Sequence, residues 1–408
     1  MRPPRHLYVH VPFCRARCDY CDFFSVPVGG ADTRSPATPH AGPARRSGAA
    51  LSPPLDGYVA ALLAELESER CALGVRRLRT VYLGGGTPSL LGHERLERLL
   101  TTLEPLLTPR AEVSVETNPE DVTAAYATWV ARRHLRVSLG VQSFLPRLRA
   151  ELGRRPTADP VAAFVSLRRA GCTNLGVDLI FGIPGQAVGD LGADLAEVAR
   201  LRPEHVSWYE LDAPPGTPLG RRVAAGEIEL PGADVQAALY RRVVRGLQRL
   251  GYVWYEVSNF ALPGHSCRHN AAVWRGEPYL GLGAGAVSTF GGERRRDAPD
   301  LAAYLDALAP PGGGPPSAPP REVERLGQVA AARERLMLAA RTGAVVPLAA
   351  LACVIDAAAL PALEAAGFVA EGGGTLRVTR KGRYVANEVC VRLFRDLYVQ
   401  GASRDVPA

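Results

Sequence analysis

Three cysteines, Cys14, Cys18 and Cys21, crowd into eight positions of HVPFCRARCDYCDF, while the other five of the chain's eight cysteines are scattered. The C-x3-C-x2-C run follows a strand-like stretch, Leu7 to Val11, on a loop that can wrap around a small inorganic object. Three thiolates can hold a [4Fe-4S] cluster and leave its fourth iron without a protein ligand. An amino acid's amine and carboxylate can chelate that open iron, which would set a sulfonium beside an electron donor. Zinc with three cysteine ligands and an open position is the chemical rival, and three incidental thiols are the bland reading. One strand further on, YLGGGTPS puts Gly84, Gly85, Gly86 and Thr87 where backbone can approach a ligand closely, with Pro88 stiffening the turn. By itself this run equally fits a plain strand-to-helix turn, and it is not the G-x-G-x-x-G dinucleotide fingerprint.

The elements that must position these residues alternate. Helical stretches at Tyr58 to Cys71, Glu94 to Leu107, Ala124 to Arg133, Asp159 to Arg169 and Leu191 to Leu201 separate strands at Leu78 to Leu83, Ala111 to Glu116, Arg136 to Gly140, Asn174 to Ile180 and His205 to Tyr209. With Leu7 to Val11 this makes six strands, and the pattern predicts an α/β fold with a parallel sheet: a partial barrel with ligands at the carboxyl ends of its strands. Residues 1–218 form this core, interrupted by a Gly, Pro and Ser-rich insertion at 29–55. Residues 219–308 hold a helix from Ala233 to Leu250 and a stretch of closely spaced Trp, Tyr, His and Gly. Within it, YLGLGAGAVS, Tyr279 to Ser288, reads either as backbone passing a cofactor pocket or as a tightly packed strand. A linker at 309–320 leads to a small unit at 321–400: helices at Val323 to Arg341 and Ala349 to Ala366, a Gly-containing hairpin and a last helix, a winged-helix-like order, before a tail at 401–408.

Composition bounds the rest. The 408 residues are 47% hydrophobic and 22% charged, enough to bury a large core without disulfides. The net charge of +7 comes from a chain whose single lysine is Lys381, so the excess is an arginine bias and a weak hint of an anionic ligand, with no nucleic acid expected. No apolar run reaches membrane-spanning length and no secretory leader is visible, which points to the cytoplasm with at most peripheral membrane contact. Cys71, Cys172, Cys353 and Cys390 read as buried structural thiols.

Taken in order, YVHVPFCRARCDYC, YLGGGTPS, VETNPE, VSLGVQSF, NLGVDLIFGIPGQ and YLGLGAGAVS resemble the radical S-adenosylmethionine (SAM) superfamily. Within it the resemblance is to the branch of the oxygen-independent coproporphyrinogen III oxidases and the heme chaperones. It implies a partial (β/α)6 barrel in which Cys14, Cys18 and Cys21 ligate a [4Fe-4S] cluster and Tyr8, Gly85, Gly86 and Thr87 line the methionine end of SAM. Glu116 would meet the ligand's polar groups, and Gln142, Arg154 and Asp178 match positions that in the oxidase contact SAM, some of them a second molecule. His10 and Tyr20 flank the cluster loop. Read without the family, Glu116, Gln142 and Arg154 are equally solvated surface residues. The oxidases carry a fourth cysteine two places after the third; here that residue is Phe23, which cannot serve as ligand, acid or thiol.

The Phe form resembles the heme-chaperone group, whose role is to bind heme and deliver it to apoproteins such as respiratory enzymes. In SCRHNAAVW, His269, Asn270 and Trp274 match that group's heme-associated motif, with Val273 in place of its tyrosine. His269 could ligate heme iron and Trp274 stack on the macrocycle, or the His-Asn pair could belong to the core; His265 and Cys267 are weaker candidate iron ligands. The resemblance thus implies a cluster, SAM and heme as cofactors, with an electron donor, an apoprotein acceptor and a second copy of the chain as partners. Its alternative is an enzyme, a coproporphyrinogen oxidase or a radical methyltransferase of the same branch.

Overall fold

The computed structural model describes residues 3–28, 55–154, 158–310 and 314–395; nearly all of the 29–55 insertion and all of the 401–408 tail lie outside them. Seven strands form the parallel heart of a larger sheet: β1 (His6–Val11), β2 (Leu78–Gly85), β3 (Leu107–Thr117), β4 (Arg136–Gln142), β5 (Leu175–Phe181), β6 (His205–Glu210) and β7 (Tyr279–Leu282). Their spatial order is β7-β1-β2-β3-β4-β5-β6. The six expected strands are all present. The seventh, β7, pairs in parallel with β1 from His6 opposite Tyr279 to Val9 opposite Leu282. Glycine-rich sequence has weak strand propensity, so YLGL is legible as a strand only once β1 is there to pair with it. Further strands flank both ends: antiparallel Val287–Phe290 and Glu293–Asp297, then Arg321–Arg325, beyond β7, and antiparallel Asn259–Ala261 and Val253–Trp254 beyond β6. The sheet is therefore open and mixed, not a closed barrel.

Side-chain alternation sorts the two faces of the sheet. Leu7, Val9, Val81, Leu83, Val115, Val137, Leu139, Val177, Leu179, Val206 and Trp208 are fully buried. Helices α1 (Leu55–Leu73), α2 (His93–Leu103), α3 (Ala124–Arg132), α4 (Pro160–Arg169), α5 (Val188–Leu201) and α6 (Ala233–Arg249) supply the matching apolar surface through residues such as Leu62, Leu99, Val130, Leu167, Val198 and Val243. The intervening positions are polar or aromatic: His6, Tyr8 and His10 on β1, Thr80 and Tyr82 on β2, Ser114 and Glu116 on β3, Arg136 and Ser138 on β4, Asp178 on β5, His205 and Ser207 on β6. Such a face is a place for ligands, since an apolar core has no use for so many polar groups.

Two compact units result. The larger holds residues 1–254, 258–270 and 278–324; the smaller holds 255–257, 271–277 and 325–408. Residues 219–308, set apart in the sequence, thus largely continue the main sheet. Arg321–Arg325 is a strand of that sheet, so the helix expected from Val323 begins at Gln328. The helix expected over Ala349 to Ala366 is a turn at Leu348–Leu351 and a short helix, Leu360–Ala365, that Pro361 starts because it cannot sit inside one. The small unit packs Leu336, Leu351, Val354, Val389 and Leu393 around a three-stranded sheet of Val345–Pro347, Thr375–Val378 and Val369–Gly372. Cys172 and Cys390 are buried as expected, but Cys353 is half-buried and Cys71 is exposed, its thiol 3.3 Å from a Glu67 carboxylate oxygen. No helix among the described residues is long and apolar enough to cross a membrane.

Candidate functional site

The cysteine loop leaves β1 and is tied down by backbone before any ligand is considered. Cys14 closes a two-residue strand, Phe13–Cys14, that pairs with Val26–Pro27. Asp19 N donates to Leu152 O at 3.0 Å, and Leu219 N donates to Asp19 O at 2.8 Å. All three thiols are free and half-buried. Burial raises the thiol pKa values of Cys14, Cys18 and Cys21, the last to about 12, and the neighbouring thiols raise those of Cys18 and Cys21 further, while the Arg154 guanidinium works against this at Cys14 and Cys18. Three desolvated thiols within electrostatic reach of one another, beside cationic Arg154 and Arg17, suit a group that takes up thiolates. Among the described residues no three His, Cys, Asp or Glu side chains, the three cysteines included, stand close enough to share a single metal ion. The donor set therefore fits a [4Fe-4S] cluster, which takes one thiolate on each of three irons.

From Cys14 a chain of polar contacts crosses the ends of β1, β2, β3 and β4. Thr87 Oγ1 donates toward Cys14 Sγ at 3.7 Å, Asn118 Nδ2 donates to Thr87 Oγ1 at 3.1 Å, and Arg154 Nη2 donates to Asn118 Oδ1 at 2.5 Å. Gly140 sits beneath its far end: a Cβ there would lie 3.1 Å from Asn118 Oδ1, 3.3 Å from Gln142 Nε2 and 3.5 Å from Arg154 Nη1. Gln142 itself has φ of +69°, a left-handed conformation uncommon outside glycine, next to an irregularity in the β4–β5 register. Gly86 has to be glycine, because a Cβ would fall 2.7 Å from Phe13 O, while its N–H donates to Val11 O at 2.8 Å. Gly85 combines a φ of +111° with the His10 ring, which a Cβ would meet at 2.5 Å.

Glu116 anchors the second half. Its carboxylate accepts from Tyr82 Oη at 3.0 Å and from Gly85 N at 3.1 Å, so it ties the glycine run to β3. Burial raises its pKa to about 7, with the Asp178 carboxylate adding to the shift and the two hydrogen bonds opposing it. Asp178 is raised by burial and held by Ser138 Oγ, 2.8 Å and 2.9 Å from its two oxygens. In register Glu116 stands opposite Ser138, and Asp178 opposite Gly140, two residues nearer the carboxyl end, so Asp178 lies at the same end of the sheet as Glu116 and Gln142. Tyr8 Oη lies 3.1 Å from His10 Nδ1, and its ring stacks on Tyr82 at 6.3 Å. His10 Nε2 lies 2.9 Å from Phe24 O and its ring stacks on Phe24, which links β1 to the far end of the cysteine loop. Tyr20 packs with Leu148, Leu152 and Ile180, and hydrogen bonds connect it to Cys18 and Arg154.

Tyr8, Tyr20, Gly85, Gly86, Thr87, Glu116, Gln142, Arg154 and Asp178 are thus gathered with the cysteine loop on the polar face of one sheet. Asn118 and Tyr82 were missed. Asn118 stands in the same VETNPE motif as Glu116, and Tyr82 two residues before the glycine run, so alternation along β2 was the available signal.

The heme candidates are placed differently. His269 is 5% exposed, on the helix α7 (Arg268–Trp274). Thr80 Oγ1 lies 2.9 Å from both His269 Nδ1 and His6 Nδ1, and the Tyr82 ring is 5.2 Å from the His269 ring. Burial, then the His6 ring, lowers the His269 pKa to about 3, which keeps it neutral. Asn270 N donates to Cys267 Sγ at 3.5 Å, and Cys267 is itself buried against Glu112. Trp274 belongs to the smaller unit, where the Arg341 guanidinium lies 5.3 Å over its ring. His269 is therefore built into the polar core of the larger unit, while Asn270 is half-buried beside it and Trp274 half-buried in the smaller unit. Phe23 is 60% exposed; its carbonyl accepts from Arg17 and its backbone hydrogen-bonds the Cys21 thiol.

A model of the radical SAM superfamily matches residues 8–198, the stretch that carries the cysteine loop, the glycine run, Glu116 and Asp178. The solved structure of the coproporphyrinogen III oxidase HemN from Escherichia coli shares the fold, with a TM-score of 0.76 over 96% of this chain and 90% of that one at 22% identity. Sheet, loop and matching model define a radical SAM protein. The heme chaperone HemW of Mycobacterium tuberculosis is 38% identical over 390 residues, 95% of this chain and 94% of its own. HemW of Lactococcus lactis is 35% identical over 75% of each chain, and HemW of Escherichia coli 33% over 70% of each. This chain belongs to the HemW family.

Proposed function

We propose that the chain is a heme chaperone that holds a [4Fe-4S] cluster on Cys14, Cys18 and Cys21, binds SAM on the polar face of the sheet, and passes heme to apoproteins. What carries the reading is the combination at one loop: three neighbouring thiols, of which Cys14 is tied through Thr87, Asn118 and Arg154 to the strand ends, with exposed Phe23 where the oxidases of this branch have a fourth cysteine. When bound, the cluster and SAM supply one-electron chemistry. The chain's own residues orient the ligand. Gly85 and Gly86 let the backbone approach it, Glu116 offers a carboxylate oxygen, and Tyr8, Tyr82 and His10 line the face without any formal charge on His10, whose pKa burial lowers.

The deciding experiment is anaerobic reconstitution with iron and sulfide, then incubation with dithionite and SAM, with heme in one arm and coproporphyrinogen III in the other. Retained stoichiometric heme without decarboxylated porphyrin supports the chaperone; turnover of coproporphyrinogen means an oxidase.

Two variants refine this. A pKa raised to about 7 means Glu116 is protonated below neutrality. SAM affinity should therefore rise roughly tenfold per pH unit below about 7 and level off above it, and Glu116→Gln should flatten that profile. Affinity by equilibrium dialysis across pH checks this, and a profile unchanged by Glu116→Gln removes the carboxylate from the site. His269→Ala should weaken heme binding while leaving the cluster absorption intact. Unchanged heme retention would make His269 a core residue only, one whose neutral ring stabilises the fold above its unfolded pKa and progressively less as pH falls toward about 3.

A further inference from the structure

Helices α5 and α6 pack side by side, with Leu195 of α5 lying over Gly246 of α6, where a Cβ would meet Leu195 Cδ1 at 2.5 Å. Along this seam runs a groove of about 390 Å³ lined by Leu195, Gly246 and four arginines of α6: Arg241, Arg242, Arg245 and Arg249. All four arginines are exposed. Among the described residues none of them has an ion pair or hydrogen-bond partner. Most other arginines near a carboxylate are paired, as Arg200 is with Glu197 on α5. The residues of the groove take no part in the cluster or SAM site.

Spacing makes this more than an arginine bias. Arg241, Arg245 and Arg249 recur every four residues, so they form a row on one helix face, about 12 Å long at 1.5 Å per residue. Like charges at this spacing repel and weaken an isolated helix. The helix dipole favours Arg249 in the last turn but gives little to Arg241 and Arg242 in mid-helix. A row of uncompensated guanidiniums beside a small apolar floor is complementary to an amphipathic helix with carboxylates at i, i+4 and i+8 and an aliphatic residue between them. Guanidinium forks pair with carboxylates in a bidentate manner. The groove is recessed, and a flat bilayer surface would not reach Leu195 at its floor.

We propose that the groove between α5 and α6 docks an acidic amphipathic helix of a partner protein. The test uses the full chain and a fluorescein-labelled synthetic helix of about sixteen residues with glutamates at i, i+4 and i+8 and leucines between them. Fluorescence anisotropy should show saturable binding that weakens as salt is raised. The double variant Arg241→Glu/Arg245→Glu should bind at least about tenfold more weakly. Arg377→Glu/Arg392→Glu, the same charge change on the smaller unit, should bind as the parent does, and all three proteins should reconstitute the same cluster absorption. The proposal is overturned if a scrambled peptide of the same composition binds equally well, or if binding survives the Arg241/Arg245 reversal. It is also overturned if the peptide fails to bind while phosphatidylserine-containing vesicles or single-stranded DNA bind and lose binding in that variant.

Discussion

Cys18→Ala is expected to abolish the iron–sulfur absorption of the reconstituted protein completely, and Cys14→Ala and Cys21→Ala to do the same, while Cys71→Ala leaves it unchanged. The contrast comes from position. Cys14, Cys18 and Cys21 lie within electrostatic reach of one another on one loop, whereas Cys71 is exposed on α1 next to Glu67. The loop itself should survive the substitutions, because its shape rests on backbone bonds from Asp19 to Leu152 and from Leu219 to Asp19 and on the Phe13–Cys14 strand pairing. Far-ultraviolet circular dichroism should therefore match the parent in every variant. Since iron takes thiolates and burial holds all three thiols protonated, loading should be faster at higher pH. Cluster absorption and iron content together check this. A Cys18→Ala protein that still bound four irons would remove Cys18 from the cluster.

Arg321→Met is expected to destabilise the protein by about 3–5 kcal/mol, the range for stranding a buried charge by removing its partner. Arg321 is 17% exposed and meets three carboxylates at once: Asp297 at 2.8 Å, Glu69 at 2.5 Å and Glu65 at 3.2 Å. Glu65, 1% exposed, also accepts from Tyr304 Oη at 2.6 Å and from Gly283 N at 2.9 Å. Burial raises the pKa of both Glu65 and Asp297 even with the guanidinium in place. Their contribution to stability is thus fully present below the unfolded carboxyl pKa and is lost as pH rises through the folded values. Without Arg321 those values climb further. The deficit of the variant should be small in acid, where Glu65 and Asp297 are protonated in both proteins, and should grow toward neutral pH. Urea melts of both proteins across that window measure it, and a deficit independent of pH would mean that packing alone is lost.

The cysteine spacing, the glycine run and the alternation of helices with strands were legible because each is a local property. Three thiols in eight positions, a turn that admits only glycine, and apolar periods of two and 3.6 need no distant partner to be read. Six strands and the helices between them could therefore be placed to within a few residues from the sequence, and Glu116 and Gln142 near strand ends. What the sequence by itself could not determine is anything that depends on a partner far along the chain. Tyr279–Leu282 becomes a strand because β1 lies beside it, and Arg321–Arg325 because the sheet has a free edge there. Asn118 matters because folding sets it between Thr87 and Arg154. His269 looked available to a ligand in a motif, yet Thr80, 189 residues away, holds it in the core. The protonation states of Glu116 and His269 follow from desolvation, and desolvation exists only once the whole sheet has closed over them.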